Sequence, residues 1–229
     1  MTSREQQDIG FLVGLRAEAD LLRQFWPGAP VAISGATSKG AERGAGRLVA
    51  CGVKNLVSFG LAAGLDPALA PGAIVIPDVV MVDQTLFACD PALRRRLGAS
   101  PGNVTAGALL HSDSVVLEAD RKQALAHETG CCALDMESGF VAQAARKNGR
   151  SFAVLRVICD PASRSLPPAA GIALSPDGGV KTGPLLRSLL HAPGQVGSLI
   201  SLGLDAFKAR RAMHRFLDVY CSGLSSDPA

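Results

Sequence analysis

The chain has 229 residues, of which 48% are hydrophobic and 19% are charged, a composition that suits one compact α/β domain spanning 1–229. Its formal net charge of +3 and its aromatic content of 4% argue against a nucleic-acid-binding protein. The 6 cysteines form no CxxC pair and the 4 histidines are too few for a zinc cluster, so we expect a reduced, cytoplasmic protein without a metal site.

Short apolar runs alternate with helical patterns along most of the chain. The predicted strands are 9–15, 31–34, 55–59, 73–82, 104–110, 131–134 and 151–158. The predicted helices are 18–26, 41–51, 121–128, 137–147, 184–190 and 195–220, with a loop rich in proline and glycine at 166–183. This alternation predicts a mostly parallel sheet covered by helices on both faces, with ligands bound beyond the carboxyl ends of the strands.

Two glycines follow the second predicted strand. Gly35 and Gly40 have the spacing of a P-loop, but Ala41 and Glu42 stand where a P-loop needs lysine and serine or threonine. The sequence also lacks a dinucleotide-binding GxGxxG. What remains is a tight strand-to-helix turn, which either binds one phosphate through its backbone N–H groups or holds no ligand.

A run of small residues, Gly60-Leu61-Ala62-Ala63-Gly64, follows the third predicted strand, and we interpret it as a loop. Two roles are open for it. It is either a tight turn, or a place where small side chains let the backbone of Ala62, Ala63 and Gly64 come close to a ligand.

Asp113 and Cys159 each have two interpretations. His111, Ser112 and Asp113 are the residue types of a hydrolase triad, but triad members converge from separate loops, and no GxSxG elbow is present. Asp113 therefore belongs either to a polar turn or to a ligand-recognition site. Cys159 either packs in the core or makes a polar contact to a substrate.

Three carboxylates, a methionine and an arginine cluster near the ends of two predicted strands. Asp135, Met136 and Glu137 follow the sixth strand, and Arg156 and Asp160 lie around the end of the seventh. Cleavage of an N-glycosidic bond to a purine develops positive charge on the sugar and negative charge on the departing base. Glu137 is our candidate for the carboxylate on the ribose hydroxyls, with Met136 against the sugar. Asp160 is our candidate for the acid that protonates N7 of the purine, a role that needs a pKa raised by partial burial.

The same residues also have structural interpretations. Asp135 and Glu137 lie at the start of a predicted helix and can cap it, which does not exclude a role in binding. Arg156 either holds the carboxylates at a ligand or forms a structural salt bridge. The sequence leaves both alternatives open.

Five stretches of the chain together resemble the superfamily of nucleoside phosphorylases and methylthioadenosine/adenosylhomocysteine nucleosidases. They are 14–19, 58–65, 111–113, 134–138 (LDMES) and 156–160 (RVICD), within a region from Ile9 to Asp160. The chain looks closer still to one branch, the hopanoid-associated phosphorylase-like proteins. The segments SFGLAAGLDPAL, DPASRSLPPAA and 185–212 are similar to that branch and unlike the ordinary nucleosidases.

The resemblance implies a three-layer α/β/α fold with a central mixed, mostly parallel twisted sheet, in which 185–220 forms a C-terminal helical extension. It implies Asp160 as the acid on N7, Glu137 and Met136 at the ribose, and Val115 and Val116 beside the base. It also implies that no cofactor is needed, with phosphate as the one co-substrate to consider.

The resemblance bears on the nucleophile as well. It implies that Glu18 lies near an attacking water, and that Arg16 and Gly35 are the nearest candidates if phosphate attacks instead. Leu61 stands where phosphate-binding relatives often have serine, which weakens a phosphorylase assignment.

We therefore predict an enzyme, a nucleosidase or nucleoside phosphorylase that releases adenine from adenosylhopane in hopanoid lipid biosynthesis. One alternative is a nucleosidase of the methylthioadenosine/adenosylhomocysteine type. Another is a protein that binds a purine nucleoside or a lipid without catalysis. Both enzyme predictions name an adenine nucleoside, small or lipid-linked, as the partner.

The closing helix, 195–220, predicts a second contact surface. It combines an apolar face with the basic residues Lys208, Arg210, Arg211 and Arg215, which suits peripheral contact with a membrane. Packing against the domain or against a second copy is the alternative. Because the family commonly forms dimers, we expect a cytoplasmic homodimer with membrane association.

Overall fold

The computed structural model describes residues 8–100, 102–167 and 196–224. Its strands are β1 (Ile9–Val13), β2 (Val31–Ile33), β3 (Asn55–Gly64), β4 (Ile74–Val75), β5 (Val79–Val82), β6 (Thr85–Ala88), β7 (Ala108–His111), β8 (Ala133–Asp135) and β9 (Ser151–Asp160). Its helices are α1 (Arg16–Phe25), α2 (Ser38–Ala50), α3 (Pro91–Arg96), α4 (Ala119–Thr129), α5 (Ser138–Lys147) and α6 (Val196–Leu224). The predicted helix 184–190 and nearly all of the predicted loop 166–183 lie outside the described residues.

The nine strands form one mixed sheet. Its order is β2-β1-β3-β8-β7-β5-β6, and β9 pairs with β3 and β4. Five pairs are parallel: β1 with β2, β1 with β3, β3 with β9, β5 with β7, and β7 with β8. Three are antiparallel: β3 with β8, β4 with β9, and β5 with β6. The predicted α/β fold with a mixed, mostly parallel sheet is thereby confirmed.

Helices cover both faces of this sheet, as the alternation along β1 illustrates. Leu12 points to the face where Leu48 of α2 and Val141 of α5 pack. Its neighbour Phe11 points to the other face, where α1, α3 and Met213 of α6 pack. Full burial of each such side chain contributes about 1.5–3 kcal/mol, so the two apolar layers hold the three-layer arrangement together.

The run from Gly60 to Gly64 is strand, and the prediction of a loop there is wrong. β3 continues through it, pairing with β9 as far as Ala63, and its last two residues, Ala63 and Gly64, also pair with β8. The small side chains fit because other strands flank this segment on both sides. The predicted strand 73–82 is likewise two strands, β4 and β5, separated by Pro77, which has no backbone N–H for a ladder.

β8 runs antiparallel to β3, with Leu134 opposite Ala63. We expected the carboxyl end of β8 to lie at the same edge of the sheet as the carboxyl ends of the parallel strands β1, β3 and β9. That expectation is wrong, because β8 runs in the opposite direction to β3. The chain leaving β8 instead runs back along β3 towards Gly60. This reversal still brings the residues after β8 to the middle of the sheet.

A bulge interrupts the end of β9. Ala62 of β3 lies opposite Ile158, but Ala63 lies opposite Asp160, so Cys159 is an extra residue without a partner in β3. One added residue changes the face on which the following side chain points. The bulge therefore sets the direction of Asp160.

The hairpin β5–β6 and the short helix α3 were not predicted. The hairpin turns at Asp83 and Gln84, which both have positive φ, as a two-residue type I′ turn requires. A glutamine in that conformation carries no turn signal in sequence. α3 begins at Pro91, and its N-cap Asp90 accepts the backbone N–H of Leu93 at 2.7 Å.

Helix α6 packs its buried residues Ala209, Met213 and Leu217 on the face that α1 and α3 also cover. Its opposite side exposes Ile200, Leu204 and Phe207. Within the described residues, none of the helices combines the length and the apolar content needed to cross a membrane.

Candidate active site

A cavity of about 470 Å³ opens between the middle of the sheet and helix α6. Its volume lies within the range of small-ligand sites. Its floor comes from β3, β8, β9 and the segments that follow β1 and β8, and α6 contributes Leu199, Leu202, Gly203 and Ala206. The lining is mostly apolar, with its charged groups gathered at Glu18, Asp135, Glu137, Arg156 and Asp160.

Arg156 organises the acidic end of the cavity from β9. Its side chain is 1% exposed, and its Nη2 lies 2.5 Å from Asp135 and 3.3 Å from Glu137. The same nitrogen donates to Ser58 Oγ at 2.6 Å, and Nη1 donates to the Leu61 carbonyl at 3.2 Å. The guanidinium thus has both carboxylates and groups of β3 as hydrogen-bond partners. A buried cation needs such partners because its burial is otherwise costly.

The two carboxylates beside Arg156 have different functions in the fold. Asp135 accepts the backbone N–H of Ser138 at 3.1 Å and also the Ser138 hydroxyl, so it caps the start of α5. Glu137 makes no side-chain capping bond. It faces the cavity and accepts from Ser34 Oγ at 3.3 Å.

Glu137 sits in a crowded acidic environment. Burial, opposed by the charge of Arg156 and reinforced by the charges of Asp135 and Glu18, raises the pKa of Glu137 to about 7. Its protonation state is therefore sensitive to pH near neutrality.

Glu18 closes the same end of the cavity from α1. One of its oxygens accepts the backbone N–H groups of Gly14 and Leu15 at 2.9 and 2.8 Å, and the other accepts that of Leu61 at 2.9 Å. Burial raises the pKa of Glu18, although Arg156 and these bonds oppose the shift. Gly60 makes the approach feasible, because a Cβ there would lie 2.5 Å from Glu18 Oε1.

Asp160 lines the cavity from the end of β9. Its Oδ2 lies 2.5 Å from Nζ of Lys122, a fully buried residue of α4. Its Oδ1 is buried and has no hydrogen-bond partner among the described residues. Burial raises the pKa of Asp160, and the hydrogen bond and charge of Lys122 oppose that shift. A carboxyl group with one held and one unpartnered oxygen can donate a proton to a ligand.

The cavity brings together most of the residues that the sequence nominated. Those that line it are Glu18, Ala62, Ala63, Val115, Val116, Asp135, Met136, Glu137, Arg156, Cys159 and Asp160. Cys159 is both packed and at the ligand space, because its Sγ lies 3.7 Å from the Ala62 carbonyl. Burial and the charge of Asp160 raise the pKa of the Cys159 thiol to about 12, so the thiol stays protonated.

Four nominated residues do not line the cavity. Gly64 is buried in the sheet between β8 and β9. Asp113 is exposed and lies 3.6 Å from His111, in a turn where Ser112 donates its hydroxyl to the Ser114 carbonyl. Gly35 is buried in the turn before α2, and Arg16 is exposed at the start of α1.

Sequence reasoning missed three kinds of site residue. Lys122 was missed because a lysine beside Arg121 in a polar helix suggests a solvated surface. Ser34 and Ser58 were missed because single serines in apolar strands carry no pattern. The lining from α6 was foreseen only as an apolar face, and nothing in its spacing indicated that the face covers a ligand site.

An apolar recess of about 260 Å³ adjoins the cavity between α1 and α6. It shares Leu15, Glu18, Leu61 and Ala206 with the cavity and continues along Phe207 and Met213. A ligand bound at Glu18 and Glu137 therefore has an apolar space beside it.

Comparisons with known proteins extend this description. The family model described as Phosphorylase superfamily matches residues 35–170. A search of curated proteins gives no significant match.

The fold is similar to several solved structures. One is a mutant of Helicobacter pylori MTAN with 5′-methylthioadenosine in its active site, with 15% identity and a TM-score of 0.67 over 95% of this chain and 99% of that one. The native futalosine hydrolase of Helicobacter pylori has 16% identity and a TM-score of 0.67 over 96% and 99%. The S-adenosylhomocysteine nucleosidase of Streptococcus pyogenes, in complex with 5-methylthiotubericidin, has 17% identity and a TM-score of 0.65 over 96% and 97%.

Proposed function

The chain is an enzyme of the phosphorylase superfamily, and from that premise we propose that it cleaves the N-glycosidic bond of an adenine nucleoside and releases adenine. The observation that carries the proposal is that Asp160 and Glu137 both line one cavity of nucleoside size. Solved structures with the same fold hold 5′-methylthioadenosine and related compounds, which supports an adenine nucleoside as the ligand.

In the proposed reaction the C1′–N9 bond breaks and its electron pair leaves with the base. Asp160 delivers a proton from Oδ1 to N7, so adenine departs as a neutral molecule. Glu137 accepts hydrogen bonds from the ribose hydroxyls and opposes the positive charge that develops on the sugar. Arg156 and Ser34 hold Glu137 in place for this contact.

We propose water as the nucleophile. A phosphate co-substrate needs cationic donors, and Arg156 is the only lysine or arginine among the described residues that line the cavity. Its Nη1 and Nη2 already contact Leu61, Ser58, Asp135 and Glu137. Glu18, whose pKa burial raises, is suited to accept a proton from water. Phosphate bound near Arg16 and Gly35 is the alternative.

The substrate we propose is adenosylhopane. The apolar recess beside Glu18 offers room for an apolar substituent, and Phe207 of α6, which lines it, is exposed together with Ile200 and Leu204 of the same helix. The resemblance to the hopanoid-associated branch supports the same choice. A small thioadenosine is the alternative substrate, and binding without turnover is the alternative function.

Product identification tests the proposal. Purified protein is incubated with adenosylhopane or 5′-methylthioadenosine, with and without phosphate, and adenine and the sugar product are quantified. We expect adenine and free ribosyl product at a rate independent of phosphate. A phosphoribosyl product formed only with phosphate would contradict the hydrolytic step, and faster turnover of the thioadenosine would contradict the lipid substrate.

Substitution of the acid completes this test. Asp160→Asn removes the proton donor, so kcat/KM for adenine release is expected to fall by about 100- to 10,000-fold. Asp120→Asn, at an exposed carboxylate of α4, is the matched control and is expected to leave the rate unchanged. Tight nucleoside binding without turnover in the unsubstituted protein would favour the non-catalytic alternative.

A further inference from the structure

We infer that Lys122 is a positioning residue that determines which oxygen of Asp160 carries the proton and strengthens Asp160 as an acid. The inference rests on the proposed function, because it concerns how the proton reaches the departing base. Lys122 lies outside the cavity and acts only through Asp160.

The surroundings of Lys122 identify it as a buried ammonium group. Its side chain is fully buried, and Nζ has three acceptors: Asp160 Oδ2 at 2.5 Å, the Arg164 carbonyl at 2.9 Å and the Pro161 carbonyl at 3.2 Å. An ammonium has three N–H donors and no acceptor, so each hydrogen has a partner. Burial of this charge is costly unless it is paired, and Asp160 is its ion-pair partner.

This arrangement divides the two oxygens of Asp160 between two tasks. Oδ2 is occupied as an acceptor from Lys122, so a proton taken up by the carboxyl group resides on Oδ1. Oδ1 is the buried oxygen without a partner among the described residues, and Asp160 lines the cavity. Without the ammonium, the proton would be free to reside on Oδ2, from which it cannot reach the base directly.

The charge of Lys122 also favours the transfer itself. As the C1′–N9 electron pair moves to the base, the proton leaves Oδ1 for N7 and Asp160 becomes a carboxylate. Lys122 retains all its protons and stabilises this negative charge more than it stabilises the neutral acid. A contact that strengthens during the transfer lowers the barrier.

Burial raises the pKa of Asp160, and Lys122 is the strongest of the groups that oppose this rise. The charged and titratable groups facing Asp160 in the described part are Lys122 from α4, Arg164 from the segment after β9, and the adjacent thiol of Cys159. Arg164 is engaged by Asp205 of α6, and the Cys159 thiol stays neutral. Of these three groups, Lys122 is the one that donates a hydrogen bond to the Asp160 carboxyl group.

The test compares leaving groups that need a proton with one that does not. Lys122→Met keeps the length of the side chain and removes the charge. We expect the plateau value of kcat/KM at acid pH for adenosylhopane to fall about 10- to 100-fold, as for partial loss of acid catalysis. For p-nitrophenyl β-D-riboside, whose phenolate leaves without a proton, we expect a change of less than about threefold.

The pH profile gives a second measurement on the adenine substrate alone. Because loss of an adjacent positive charge raises the pKa of a carboxyl group, the alkaline limb of the kcat/KM profile is expected to move up by about 1–3 pH units. A purely structural role would lower the profile without displacing the limb. Lys122→Gln, which keeps a donor but no charge, should displace the limb in the same direction.

Controls separate this inference from the proposed function. Lys147→Met, at an exposed lysine of α5, is expected to match the unsubstituted protein on both substrates. Equal loss on both substrates, or an unmoved alkaline limb in both variants, would overturn the role of Lys122 while leaving adenine release intact. Absence of adenine release from the unsubstituted protein would overturn the proposed function and this inference with it.

Discussion

At the scale of single residues, the site concentrates ionisable groups that the fold cannot easily bury. Glu18, Asp135, Glu137 and Arg156 share a small volume, and within the described part of the chain Arg156 is the one cation that contacts the pair Asp135 and Glu137. The burial of three carboxylates near one guanidinium leaves an excess of negative charge. One consequence is that the site takes up a proton as pH falls towards neutrality.

Stability should therefore depend on pH through Glu137. Its pKa is about 7 in the fold against a usual value of 4.5, so between these values the folded protein binds a proton that the unfolded chain does not. The contribution of Glu137 to stability is therefore fully present below pH 4.5. It declines as pH rises towards 7, by at most about 1.4 kcal/mol per pH unit. Denaturant titrations of the protein and of the Glu137→Gln variant, repeated at intervals of about one pH unit between pH 5 and pH 8, measure this slope.

The variant should show a flatter dependence than the unsubstituted protein over that interval, because glutamine does not titrate. Coincident slopes for the two proteins would mean that another group, such as Asp160 or Glu18, takes up the proton.

Gly60 is the backbone position on which the acidic end depends. It has φ of +148°, and a Cβ would lie 2.5 Å from Glu18 Oε1 and 2.8 Å from Arg156 Nη1. We expect Gly60→Ala to cost about 1–3 kcal/mol of stability and to reduce adenine release, because both side chains must move. Gly46→Ala is the control, since Gly46 lies in α2 and a Cβ added there would have no atom within 4 Å.

The control substitution should stabilise the protein by about 0.5–1 kcal/mol, because alanine is preferred to glycine within a helix. Thermal unfolding and a rate assay on both variants give the comparison. An active, fully stable Gly60→Ala protein would show that Glu18 does not need its present position.

At the scale of elements, the sequence predicted periodic segments well and non-local geometry poorly. The apolar runs of β1, β3 and β9 and the helical pattern of α5 follow from local side-chain chemistry, so their existence was predictable. The direction of β8 was not, because pairing between Leu134 and Ala63 depends on contacts far apart in the sequence. The extension of β3 through small residues has the same cause.

Helix α6 is connected to Asp160 by a chain of polar contacts. Lys122 holds the Arg164 carbonyl, and the Arg164 guanidinium pairs with Asp205 of α6. Arg164 and Lys208 lower the pKa of Asp205, so Asp205 is ionised at neutral pH. The helix that lines one side of the cavity is thereby linked to the segment after β9.

Asp205→Asn should loosen this attachment. We expect a fall in Tm of about 2–6 °C and a rise in KM for the nucleoside, since Leu199, Leu202 and Ala206 would line the cavity less firmly. Calorimetry and steady-state kinetics measure the two effects. Asp218→Asn, at an exposed position of the same helix, is the comparison, and an equal change in both variants would argue against a specific link.

At the scale of the whole molecule, the fold was predictable and the surface partner was not. The ordered motifs around Asp135–Glu137 and Arg156–Asp160 led to the correct superfamily, which fixes the architecture. The exposed apolar residues of α6 are ambiguous in sequence, because membrane contact and contact between two copies use the same residue types.

We predict that α6 meets a membrane surface. Ile200, Leu204 and Phe207 are each more than half exposed, and Arg210 and Arg211 lie beside them. The protein is expected to co-sediment with vesicles containing anionic lipid, and Phe207→Ser is expected to weaken this binding about tenfold. Leu86→Ser, at an exposed leucine of β6, serves as the control and should not alter binding.

The proposed homodimer is tested in the same preparation by sedimentation equilibrium. A monomer would contradict the dimer. A dimer that dissociates in Phe207→Ser, with no vesicle binding by either protein, would assign the exposed face of α6 to a second copy instead of a membrane.

Because of the bulge in β9, the presence of a residue at position 159 matters more than the chemical type of its side chain. A thiol, a hydroxyl or a methyl group there keeps the same number of residues in the strand, so exchange of Cys159 for a residue of similar size leaves Asp160 facing the cavity. Removal of that one position would turn the carboxyl at 160 to the opposite side of the sheet and away from the cavity. Divergence of this enzyme is therefore expected to proceed here by replacement of the side chain and never by shortening of the chain.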